Sequence, residues 1–109
     1  MASQLASGDL ISDRYASALY DLAAEKKAVD PVLTDLSNLK NILKDNKELN
    51  LVIKSPLIPS PDKLNIFESL LKKINANELT NTFLKVIEKN KRFSNLASII
   101  TQFIKINSH

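Results

Sequence analysis

A single glycine, Gly8, occurs in the 109 residues of this chain. Tight hairpins, glycine-rich phosphate loops and dinucleotide-binding turns all depend on glycine for positive φ or close backbone approach. A chain with one glycine near its start has almost no material for any of them. What remains is Leu, Lys, Ala, Asn and Ile at helical spacing, interrupted by four prolines at 31, 56, 59 and 61. An all-α fold is the expectation. At 44% hydrophobic and 25% charged residues the composition is that of one globular domain. No apolar run approaches the roughly 18 to 20 residues a membrane span needs, so direct membrane insertion is not expected.

Start and stop chemistry divides the chain into six helices. The first runs from about Asp9 to Ala28. Asp30 and Pro31 read as an N-cap and N1 pair opening the second, whose Val32, Leu36, Leu39 and Leu43 recur on one face as far as Asp45. Asn46 is the expected cap of a short third helix through Ile53, which must stop ahead of Pro56. "SPLIPSP" (55 to 61) then reads as a stiff, extended connector. Ser60, Pro61 and Asp62 supply a cap, a proline and an acid for the fourth helix, with Leu64, Phe67, Leu70, Leu71 and Ile74 on its apolar face. Asn75 with Glu78 resembles a capping box for a fifth helix from Ala76 to Lys91. Ser94 is the expected cap of the sixth, which turns Leu96, Ile99, Ile100, Phe103 and Ile104 inward and ends near Ile106. Short connections favour a compact six-helix bundle over 9–106, with a flexible N-terminus at 1–8 and a tail at 107–109.

Catalytic chemistry finds little support. There is no cysteine, and the lone histidine, His109, is the last residue, where packing cannot position it. Asp9 with Asp13 and Asp21 with Glu25 lie four apart on a helix, but each pair reads as a solvated face or local ion-pair partners rather than a metal site. No metal, no cofactor and no enzymatic activity are expected. The net charge of +3 is spread along the chain, which describes a lysine-rich surface better than a nucleic-acid patch. The basic run "KNKR" (89 to 92) falls at the end of the fifth helix, where cations complement the helix dipole.

Two helices carry more apolar surface than one core contact uses. On the first, Ile11, Tyr15, Ala18 and Leu22 form one stripe, and Ala16, Leu19 and Ala23 widen the arc to about 150°, against about 100° for an ordinary surface helix. On the fifth, Leu79, Phe83, Leu84, Val86 and Ile87 cover about 160°. Periodicity alone leaves two readings open: both helices are central in the bundle, or they form the walls of a groove for an amphipathic helix from another chain.

The segment "RYASALYDLAAEKKAVDPV" (14 to 32) resembles the opening of the δ subunit of F-type ATP synthase, the oligomycin sensitivity conferral protein (OSCP) of mitochondria. "FLKVIEKNKRFSNLASIITQFIKI" (83 to 106) is similar to that family's second signature, apolar residues leading to Asn-x-Arg-[Leu/Phe] and a closing helix. "SPLIPSPDK" lies where the family has a linker between its third and fourth helices. The resemblance implies a non-catalytic stator component whose N-terminal bundle binds the N-terminal segment of the F1 α subunit between its first and fifth helices. It implies no nucleic-acid partner. The family's C-terminal domain, which meets the b subunits of the peripheral stalk, has no counterpart in these residues, so the chain looks like the N-terminal domain by itself. Localisation would be peripheral to the bacterial plasma membrane on its cytoplasmic face, or to the mitochondrial inner membrane on the matrix side. Tyr15 matches the motif tyrosine and Val86 the apolar position before the Asn-x-Arg turn; Ile11, Ala18, Leu22, Phe83 and Asn90 extend the expected contact surface by geometry. Arg92 matches the signature arginine and is expected to tie the end of the fifth helix to a neighbour. Lys91 stands where the family often has glycine, which puts a left-handed residue there in question. A basic RNA-binding bundle and a homo-oligomerising bundle are the alternatives.

Overall fold

The computed structural model describes residues 8–108. Among them are six α-helices and no strand: α1 (Gly8–Glu25), α2 (Val29–Asp45), α3 (Lys47–Lys54), α4 (Ser60–Lys73), α5 (Glu78–Lys89) and α6 (Leu96–Asn107). The all-α bundle expected from glycine scarcity and periodicity is what forms. The proposed flexible N-terminus lies outside the described residues apart from Gly8, which opens α1, and so does His109.

Packing divides the helices into two close pairs. α1 lies along α6 and α4 along α5, while α2 touches both pairs. The core between them is built from Leu36, Leu39, Phe67, Leu71, Leu84, Ile87, Leu96, Ile99, Ile100 and Phe103, all essentially sealed from solvent. Two aromatic contacts hold it in register. The Tyr20 ring meets Phe103 at 5.4 Å and 60°, joining α1 to α6, and Phe67 stacks on Phe93 at 5.5 Å and 16°. Both separations fall in the range where aromatic pairs gain energy beyond their buried area.

Helix ends are where the expectations need correction. Glycine is absent from every corner, yet three helices close with a residue in the left-handed region: Lys27 (φ 55°), Asn75 (φ 52°) and Lys91 (φ 56°). Each sits in a full Schellman motif. Ala28 N–H donates to the Ala23 carbonyl and Lys27 N–H to Ala24; Ala76 N–H donates to Leu71 and Asn75 N–H to Lys72; Arg92 N–H donates to Ile87 and Lys91 N–H to Glu88. The left-handed residue placed in question at Lys91 is therefore retained without glycine. Arg92 enters the same motif through its backbone N–H, a part that does not depend on the arginine side chain.

Four of the expected caps are displaced, three of them beside these corners. Ala28 ends the α1 corner and already serves as the N-cap of α2, so Asp30 falls inside the first turn as a dipole-complementing acid. Asn75 is used in the α4 corner, and the cap of α5 is Asn77, whose side chain accepts from Leu79 N–H at 2.9 Å. Ser60 and Pro61 lie within the first turn of α4, and Pro59, extended at φ −62°, ψ 147°, takes the cap position. Ser94 lies in a 3-10 turn (Phe93–Asn95) that runs into α6, because burial of Phe93 against Phe67 fixes the chain one turn earlier. The Asn46 cap stands: its side chain accepts from Leu49 N–H at 3.1 Å.

Candidate functional site

The surplus apolar arc of α1 resolves into two faces. Ser12, Ala16, Leu19 and Ala23 are buried, turned into the bundle. The small side chains of Ser12, Ala16 and Ala23 let α1 come close to its main neighbour, α6. The other stripe is not consumed by the core. Ile11 and Tyr15 are half-buried, Ala18 is exposed and Leu22 keeps 38% of its surface in solvent. α5 divides in the same way: Thr80, Leu84 and Ile87 point inward, Phe83 is buried at the boundary, Leu79 is half-buried and Val86 remains 41% exposed.

Between these outer faces lies an open, almost wholly apolar groove with a cavity of about 300 Å³. Tyr15, Ala18, Leu19 and Leu22 line it from α1, and Leu79, Phe83 and Val86 from α5. Polar groups in its lining come from Arg14, Thr82 and the Tyr15 hydroxyl. Of the seven expected contact residues, the structure brings five together here: Tyr15, Ala18, Leu22, Phe83 and Val86. Ile11 is half-buried outside the cavity lining, and Asn90 is the exposed C-cap of α5, beyond the groove. Leu19, Leu79, Arg14 and Thr82 line the groove without having been marked as contacts. Leu19 and Leu79 already belonged to the apolar arcs; Leu19 is a core residue that also reaches the groove, and Leu79 is half-buried in its wall.

The α5 wall is held by a residue that sequence reasoning missed. Asp35, on α2 and only 6% exposed, accepts 2.7 Å hydrogen bonds from Asn77 N–H and from the buried Thr80 hydroxyl. A carboxylate at a helix N-terminus satisfies free N–H groups and complements the dipole. The clue was present in the spacing: Asp35 lies three residues after Val32 and four before Leu39, within the apolar face of α2. A charge there requires a dedicated partner, because an unpaired buried carboxylate is costly.

No group of three or more metal-ligating side chains exists among the described residues, and no described helix is long and apolar enough to cross a membrane. A helical bundle with an exposed apolar groove among the described residues presents the kind of surface that can receive an amphipathic segment. The family model described as ATP synthase delta (OSCP) subunit matches residues 11–109, and the chain belongs to that family. It is 36% identical over 101 residues to ATP synthase subunit delta of Rhizobium leguminosarum bv. trifolii, covering 93% of this chain and 53% of the relative. It is 34% identical over 103 residues to the same subunit of Rhodopseudomonas palustris, covering 94% and 55%. A chain in the cryo-EM structure of the Toxoplasma gondii mitochondrial ATP synthase hexamer superposes with a TM-score of 0.79 at 34% identity, covering 84% of this chain and 51% of that one. The chain thus spans about half the length of the relatives it matches.

Proposed function

We propose that this bundle is the head-binding part of the ATP synthase stator, and that its α1–α5 groove receives the N-terminal helix of the F1 α subunit. The observation that carries the reading is the groove itself. Its two walls come largely from the two signature segments, and they keep large apolar side chains, Leu22 and Val86, in solvent without a partner among the described residues. An amphipathic helix laid along the walls would place its apolar stripe in the 300 Å³ cavity and its polar face outward. A contact of ordinary size buries about 1,200 to 2,000 Å² in total, enough for submicromolar affinity when the anchors are preorganised.

The mechanism is binding and stiffness rather than bond chemistry. By gripping the α3β3 head, the bundle keeps it from turning with the rotor, so that torque drives ATP synthesis. Attachment to the b subunits is assigned to the other half of the relatives' length, and the location is peripheral to the energy-transducing membrane. Calorimetry with a peptide of about the first twenty α-subunit residues tests the reading. Tyr15→Ala and Val86→Asp should each weaken binding at least about tenfold while leaving the far-UV spectrum unchanged. Because the groove is apolar, raising salt should change the affinity little. Equal binding by folded variants, or none by the parent chain, removes the groove from this role.

A further inference from the structure

A second cavity, of about 610 Å³, opens where the α3–α4 connector faces the corner between α5 and α6. It shares no lining residue with the apolar groove. Three lysines from three different segments converge on it: Lys54 at the end of α3, Lys63 in the first turns of α4 and Lys91 in the left-handed corner after α5. Glu88 is the only acid in the lining. Lys63 is the unusual member. It is only 9% exposed, and its Nζ donates to the Ile53 carbonyl at 3.1 Å. An ammonium carries three N–H donors, and a neutral carbonyl meets one of them without cancelling the charge. The cavity also has an apolar wall, formed by Ile58 and the connector prolines, with Ile53 and Phe93 almost sealed beneath it.

We infer that this cavity binds a phosphate-bearing small molecule of nucleotide size, the phosphates held by the three lysine side chains and the body lying on the apolar wall. Three lysines around one cavity suit a multiply charged phosphate better than a single carboxylate. A volume of 610 Å³ is far more than one phosphate fills and is typical of small-molecule sites. The frame is preorganised: Pro56, Pro59 and Pro61 stiffen one side, and the Schellman hydrogen bonds from Lys91 and Arg92 fix the other. Side chains take the part that a glycine loop plays elsewhere, so the scarcity of glycine does not exclude the site.

The test is an amide chemical-shift titration of the 109-residue chain with inorganic phosphate, pyrophosphate and ADP, each without divalent metal. Saturable shifts are expected around 54–63 and 91–94, with none at Tyr15 or Ala18 in the groove, and with ADP binding more tightly than pyrophosphate. Lys91→Gly removes one cation while keeping the left-handed corner, and should weaken ADP about fivefold; Lys54→Ser combined with it should weaken ADP about twentyfold. Equal affinity for ADP and pyrophosphate would take the apolar wall out of the site and overturn the nucleotide-sized ligand. No saturation up to about 10 mM, or shifts shared evenly by all surface lysines, would overturn the site itself. Unchanged affinity in the folded double variant would do the same.

Discussion

The two faces of α1 carry similar residues to different ends. Ser12, Ala16, Leu19 and Ala23 disappear into the bundle, while Tyr15, Ala18 and Leu22, one or two positions away on the helix surface, stay accessible. Ala16 and Ala18 make the contrast most directly, since the same methyl group is fully buried at one position and exposed at the other. Hydropathy cannot distinguish them. What separates them is which side has a helix against it, and that is decided by α6 on one face and by the gap towards α5 on the other.

The largest expected effect tests this contrast. Ala16→Leu forces extra carbons into a close-packed contact and should lower stability by about 3 kcal/mol in urea unfolding. Ala18→Leu should change stability by less than about 0.5 kcal/mol. If the two substitutions cost the same, the faces are not distinct. The opposite wall comes next. Asp35→Ala strands the Asn77 N–H and the Thr80 hydroxyl and should cost about 2 kcal/mol, with Asp35→Asn recovering part of it as read by the urea midpoint. A smaller effect, of opposite sign, is expected on the inner face. The buried Ser12 hydroxyl has no hydrogen-bond partner among the described residues, so Ser12→Ala should stabilise by up to about 1 kcal/mol. Smallest is the end of α1: Lys27→Gly relieves the left-handed strain but frees the unfolded chain, for a net gain of about 0.5 kcal/mol in thermal unfolding.

Much of this was legible in the residues, and the failures share a cause. Helix number, the apolar faces and the Asn46 cap follow from periodicity and local side-chain chemistry. Asp30, Ser60, Asn75 and Ser94 were all plausible caps, and each lost to a neighbour: at Asp30, Asn75 and Ser94 the closing motif of the preceding helix fixes where the chain turns, whereas Ser60 follows the 55–59 connector and yields the cap position to Pro59. That competition is set by backbone hydrogen bonds such as Ala28 to Ala23, which no single side chain announces. In the groove, Tyr15, Ala18, Leu22, Phe83 and Val86 were found because surplus apolar width is a local property. Asn90 lies beyond the groove because it is the C-cap of α5, past the end of the helix that forms the wall. Asp35 was missed because its partners are 42 and 45 residues away.

The groove does not lie within either close helix pair; one wall belongs to α1 with α6 and the other to α5 with α4. A helix seated there would act as a rivet joining two plates. Force applied along its axis would load both walls together in shear, across every anchor at once, rather than peeling one contact after another. The weak direction would be the one that lifts the rivet straight out.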